Sequence, residues 1–127
     1  MDILYDQNSL PNLRDFGIEI PFYDARISHL IDFFNDKHLN FMNREEQVYW
    51  PAVTRQDLEL AHLESYTNQL FGSDKSLSKA VYDTYELINK NGEFHRYNPD
   101  NATQSFDILK QRVFKQVEGS MMAVERA

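Results

Sequence analysis

Cysteine is missing altogether from this chain of 127 residues. Disulfide frameworks, thiolate metal sites and cysteine nucleophiles are therefore excluded. Glycine and proline number only 4 each, too few for a collagen-like or Pro/Gly-rich disordered chain. No run of residues approaches the roughly 20 apolar positions that a membrane span requires. The opening Met1-Asp2-Ile3-Leu4-Tyr5-Asp6 has neither the basic start nor the apolar stretch of a signal peptide. Basic charge is also scarce: 13 Lys and Arg stand against 20 Asp and Glu, a net charge of −7. Such a surface repels phosphate backbones unless a local basic patch overrides it. The densest basic stretch, Lys110, Arg112 and Lys115, is diluted by Glu118 and reads as a solvated helix face. The expectation is a cytoplasmic protein that binds neither nucleic acid nor membrane.

With 42% hydrophobic and 26% charged residues, the composition is that of one small globular domain. Ile3-Leu4-Tyr5 is a short apolar run of strand type. Residues 7–14 carry turn chemistry, and Gly17 to Pro21 alternates before a proline, which reads as extended. Asp24 is a candidate cap for a helix over about 25–36, where Ile27, Leu30, Ile31 and Phe34 fall at helical spacing. Residues 40–46 read as a loop. Residues 48–53 are aromatic and β-branched, with Pro51 placing the run at an edge or bend. Thr54-Arg55-Gln56-Asp57 resembles a capping box and opens one helix or two short ones ending at Gly72. Ser76 is a candidate cap for the next helix, closed by Asn89-Lys90-Asn91-Gly92. A polar loop covers 93–103. Phe106, Leu109, Val113, Val117, Met121 and Val124 then mark the clearest helix, which has no stop signal before Ala127.

Motifs for chemistry are sparse. His29, His38, His62 and His95 include no pair at the spacing that places two imidazoles on one metal. No glycine-rich phosphate loop and no serine in a nucleophile elbow are present. Glu45-Glu46 sits in a polar run and reads as solvated rather than catalytic. Tyr49-Trp50-Pro51 reads as core or interface, and Met121-Met122 as packing. On these grounds the residues assign no catalytic group and no metal ligand.

Three stretches together resemble the histone deacetylase, acetoin-utilisation and acetylpolyamine amidohydrolase family. The first is Ile3-Leu4-Tyr5-Asp6 followed by Gly17-Ile18-Glu19-Ile20-Pro21 and Asp24-Ala25-Arg26-Ile27. The second is Ala52 to Tyr66, with Thr54-Arg55-Gln56-Asp57-Leu58, then His62, then Tyr66. The third is Tyr97 to Thr103, then Ser105-Phe106-Asp107, then Gly119. The resemblance covers residues 1–127 but only the opening part of the family's domain. It implies an α/β chain, the N-terminal part of an arginase/deacetylase-like three-layer fold, mostly helical with short parallel strands. It also implies that the Ala52–Tyr66 run is scaffold. Asp100 is the closest counterpart of a family Asp that accepts hydrogen bonds from substrate backbone, and stabilising the Asn98-Pro99 turn is an equal reading of that residue.

In the family, zinc-activated water attacks an acetyl amide. The paired histidines, Asp-x-His ligands, second zinc Asp and catalytic Tyr that support this have no counterpart here. The expectation is an N-terminal segment that holds no zinc, although the full-length family uses it. It would be inactive alone, and would meet an acetylated protein or polyamine only when completed by a C-terminal part. One alternative is a small helical interaction module that self-associates or binds a partner through apolar helix faces. Another is an enzyme built on an unrecognised carboxylate pair.

Overall fold

The computed structural model describes residues 3–5, 11–20, 23–37, 41–43 and 51–125. Its elements in chain order are strand β1 (Ile3–Tyr5), helix α1 (Tyr23–Asp36), strand β2 (Phe41–Asn43), and helices α2 (Arg55–Glu59), α3 (Glu64–Leu70), α4 (Asp74–Thr84) and α5 (Phe106–Glu125). Short 3-10 turns lie at Leu13–Phe16 and Pro99–Asn101.

The first 3-10 turn shows how local chemistry starts the core. Asn12 caps it, its side-chain oxygen accepting from the Arg14 N–H at 3.1 Å. Gly17 closes it in the left-handed region at φ 74°, its N–H donating to the Arg14 carbonyl. The turn points Leu13 and Phe16 inward, and both are buried. The chain beyond Gly17 is then pinned to a distant loop. Asn98 N–H donates to Gly17 O at 2.8 Å, Glu19 N–H donates to Arg96 O at 2.7 Å, and Ile18 forms an antiparallel bridge with Tyr97.

Helix α2 begins at a complete capping box. The Asp57 N–H donates to Thr54 Oγ1 at 3.2 Å, and the Asp57 carboxylate accepts from the Thr54 N–H at 2.8 Å and the Thr54 hydroxyl at 2.6 Å. The Thr54 hydroxyl, and then its backbone N–H, hold the Asp57 carboxyl below its ordinary value of 3.8. A folded pKa that is depressed stabilises the fold above the unfolded value, and that contribution is lost as pH falls through the lower folded value. The start of α2 is therefore expected to loosen in acid below pH 3.8, and Asp57→Asn is expected to remove this acid sensitivity. An NMR titration of the carboxyl carbon together with amide exchange at Asp57 and Leu58 checks it. A carboxyl titrating at or above 3.8 contradicts it.

Helix α4 opens at Ser73, whose hydroxyl accepts from the Ser76 N–H at 3.3 Å. Its other end is a Schellman-type stop: Leu87 N–H donates to Tyr82 O at 2.9 Å across Glu86, which is left-handed at φ 52°. The chain then turns through Asn89–Gly92, and Ile88 bridges Phe94. The core gathers Leu13, Phe16, Ile18, Leu77, Val81, Leu87 and Leu109, so the N-terminal turn, α4, the post-α4 loop and α5 share one apolar centre. Tyr82, Phe94, Tyr97 and Phe106 flank it as a chain of ring contacts with centroids 5.0–5.9 Å apart.

The expected α/β three-layer fold is not what forms. The described residues are mostly helical. Their only ladder is β1 against β2, three residues each, parallel, with Ile3 opposite Phe41. Two three-residue strands make no layer on which helices can pack, and the core is built instead by helices α4 and α5 with the loops that clasp them.

Several local expectations also change. Phe41–Asn43 pairs as a strand where a loop is expected. Asp24 lies inside α1 rather than capping it. Ser73, three residues earlier than Ser76, caps α4. That helix stops at Thr84, because Leu87 is needed in the core and the αL turn at Glu86 delivers it there. On α5, Met122 is buried, while Val124 is 78% exposed. Residues 44–50, including Glu45, Glu46, Tyr49 and Trp50, lie outside the described residues.

Candidate functional site

Asp100 is the residue to which the resemblance implies a substrate contact, with stabilisation of the Asn98-Pro99 turn as the equal reading. It occupies the middle of the Pro99–Asn101 turn, where the Asn98 side-chain oxygen accepts its N–H at 3.1 Å. Proline at the first turn position fixes the local backbone, and Asn98 replaces a missing backbone acceptor. Asp100 is exposed. The loop beneath it is held firmly. Thr103 N–H and Gln104 N–H both donate to Asp15 O, at 2.8 and 2.9 Å, and the Thr103 hydroxyl adds a third bond at 3.2 Å. Asp100 thus stands on a rigid platform built from two distant chain segments.

Beside this platform is an open cleft of about 540 Å³ lined by Arg14, Gly17, Glu19, Ile20 and Asn101. The Asn101 amide reaches the Glu19 carboxylate at 3.4 Å across it. Asp100 itself does not line the cleft; its neighbour Asn101 does. Arg14 and Glu19 carry no local signal for this cleft, because they join Asn101 only through the Gly17–Asn98 pairing.

A second concavity, about 130 Å³, runs between α2, α3, α4 and α5. Leu58, Leu70, Leu77, Leu109 and Val113 supply its apolar wall. His62 and Tyr66 lie at its margin with ring centroids 5.3 Å apart, and the Tyr66 and Thr84 hydroxyls are hydrogen-bonded at 3.2 Å. His62 is exposed, and its ring neighbour is an aromatic rather than a carboxylate. That arrangement positions a helix pair and activates no proton transfer, since a general base needs a partner that orients it.

The remaining charged side chains near these surfaces are largely paired. Lys110 meets Asp107 at 2.7 Å, which holds the Asp107 carboxyl below its ordinary range, with Gln111 adding a bond at 2.7 Å. The Arg112 guanidinium sits 5.7 Å from the Phe16 ring centroid and donates to Gln104 at 3.2 Å. Lys110 and Arg112 therefore serve α5 and the core rather than forming a basic strip. Tyr97 is pushed up to about 12, first by burial and then by Tyr82, so it is a neutral phenol at physiological pH.

No family model, curated protein or solved structure matches this chain.

Zinc chemistry of the kind the resemblance implies needs at least three converging donors. Among the described residues no group of three or more His, Asp or Glu side chains is placed to hold a metal ion. His29, His62 and His95 lie on separate elements, α1, the α2–α3 link and the post-α4 loop, and His38 lies outside the described residues. The donor set of the described residues does not fit zinc. Nor is any helix among the described residues long and apolar enough to cross a membrane.

Proposed function

We propose that this chain is a noncatalytic N-terminal segment of a zinc-dependent deacetylase-like hydrolase. In this reading it serves as scaffold for acetyl-lysine or acetylpolyamine type amide hydrolysis whose metal ligands lie in a further C-terminal part. The observation that carries the reading is the build of the Ala52–Tyr66 run. Its Thr54–Asp57 capping box starts α2, its Leu58 is buried, and its His62 ring lies tilted against the Tyr66 ring. Such a build supports the scaffold role that the resemblance implies for this run. The platform under Asp100 supports a second element of the reading, a carboxylate presented to a substrate's backbone N–H groups. The location in this reading is cytoplasmic.

A second reading is favoured by a separate observation. Leu60 and Leu63, on the link between α2 and α3, are 88% and 78% exposed. Large apolar side chains displayed this openly suit a helical interaction module that self-associates or binds a partner.

One measurement separates the two. The endogenous protein, captured with an antibody against this chain, is weighed intact and assayed for bound zinc, and the coding DNA after the Ala127 codon is read. A mass well above 15.0 kDa, stoichiometric zinc, and paired histidines followed by Asp-x-His downstream are expected. An endogenous chain of 15.0 kDa without zinc overturns the deacetylase reading and leaves the interaction module.

A further inference from the structure

Asn91-Gly92 is the one Asn-Gly pair in the sequence. It sits in the turn between Ile88 and Phe94, and both residues are exposed. Gly92 is left-handed at φ 80°, and a Cβ placed on it would meet nothing within 4 Å. No side chain of its own and no atom on the Cβ side therefore hinders approach to this residue.

The Asn91 side chain makes no hydrogen bond within the described residues. Asn12, Asn68, Asn89, Asn98 and Asn101 each have a side-chain amide engaged. Asn35 resembles Asn91 in lacking such a bond, but it lies within α1 and precedes Asp36, so a helical backbone and a following side chain both restrict it.

We propose that Asn91 is a site of spontaneous deamidation, converting in water to aspartate and isoaspartate. The Gly92 backbone nitrogen loses its proton and attacks Cγ of Asn91. The N–Cγ bond forms, the Cγ–Nδ2 bond breaks, and ammonia leaves with the proton, giving a five-membered succinimide. Water then adds to one of the two imide carbonyls. Opening at Cγ yields aspartate, and opening at the Asn91 carbonyl carbon yields isoaspartate. One amide and one water become one carboxylic acid and one ammonia, with no change of oxidation state.

The turn also sets the rate. Gly92 N–H donates to Asn89 O at 3.0 Å, and Asn91 N–H donates to Asn89 Oδ1 at 2.9 Å. These bonds must open before the nitrogen can attack, so the folded chain reacts more slowly than the unfolded one. Being exposed, they belong to the low-stability end of local opening.

The product changes the turn in two ways. A new negative charge appears beside Glu93, whose N–H and carboxylate hold Asn89 at 3.0 and 3.1 Å. Isoaspartate also routes the backbone through an extra carbon, between the two residues of the Ile88–Phe94 bridge. Phe94 rests on Tyr82 and Tyr97 with ring centroids 5.3 and 5.0 Å away, so the edge of the aromatic cluster loosens with conversion.

The test is incubation of the purified chain at neutral pH and body temperature in oxygen-18 water, followed by tryptic mapping. The peptide 91–96 is expected to split into amide, aspartate and isoaspartate forms, with labelled oxygen in the two acids. Peptides bearing Asn35 and Asn101 are expected to remain amide over the same period. Chain unfolded in guanidinium is expected to convert several-fold faster, and Asn91→Gln to leave its peptide unchanged. Conversion at Asn91 no faster than at Asn35 or Asn101, or acids that carry no label, overturns the proposal.

Discussion

Gly17→Ala is expected to lower stability by roughly 2–5 kcal/mol, the sum of a left-handed backbone penalty and a steric one. The first part comes from φ 74° at Gly17. The second comes from the neighbours of a new Cβ, which would press into the Asn98 carbonyl oxygen and lie 3.2 Å from a Tyr97 ring carbon. Backbone cannot swing aside as a flexible side chain can. Relief requires separating the two segments, which breaks the Asn98 N–H bond to Gly17 O and weakens the Ile18–Tyr97 bridge. Gly92→Ala is the matched control. It carries the same conformational penalty at φ 80°, but its Cβ enters open space, so its cost is expected to be about 1–2 kcal/mol. Equilibrium urea unfolding of the two variants, followed by circular dichroism, gives the comparison. Equal shifts in midpoint would show that the close approach at Gly17 contributes nothing.

The same contrast explains which parts of the fold were legible in the sequence. Elements set by local signals match the structure. The Thr54-Arg55-Gln56-Asp57 box caps α2, Gly72 follows α3, and the Phe106, Leu109 and Val113 spacing marks α5. These elements are specified by residues within a turn or two of each other. Gly17 looked like the start of an extended run because its role depends on Asn98, far along the chain. The α4 ending departs from its local signal for a related reason. Sequence chemistry points to Gly92 as the left-handed stop, whereas Glu86 takes that conformation so that Leu87 can be buried. Burial of a large apolar side chain stabilises by about 1.5–3 kcal/mol, enough to offset an unfavourable φ. The layered α/β fold was inferred from resemblance, and the helical core does not follow it.

The candidate site was legible only in its single-residue features. Asn98-Pro99-Asp100 announces a turn, and the structure places Asp100 at its centre. The clamp beneath it, formed by Asp15 O with Thr103 and Gln104, involves backbone carbonyl and amide groups whose pairing no side-chain pattern records. Arg14 and Glu19 are likewise unremarkable in sequence and reach the Asn101 cleft only through the Gly17–Asn98 approach. His62 was read as structural from its lack of partners, and its tilted contact with Tyr66 supports that reading. Long-range backbone pairing thus decides both where the core closes and which surface residues share a cleft.

Phe16→Ala is expected to be the most damaging single truncation, costing about 3–5 kcal/mol, the range for removing a buried aromatic ring. Phe16 is fully buried at 0% exposure and belongs to the cluster that joins the N-terminal turn to α4 and α5. It is also the contact through which α5's Arg112 is seated, with the guanidinium 5.7 Å from the ring centroid and a further bond to Gln104 at 3.2 Å. The cation–π part is worth only about 0.5–1 kcal/mol, so ring burial decides the outcome. Since the whole fold is held by only roughly 0.05–0.15 kcal/mol per residue, this one loss removes a large share of the total. Phe16→Leu keeps most of the apolar volume and is expected to cost much less, which separates packing from aromaticity. In a double-mutant cycle, Arg112→Met should lose only the cation–π part of its effect when Phe16 is already alanine, keeping the part that comes from the Gln104 bond. Thermal and urea unfolding of the five proteins measure these terms. A Phe16→Ala cost below about 1 kcal/mol would mean that the ring is not packed in the core, because full burial of a phenylalanine is worth more than that.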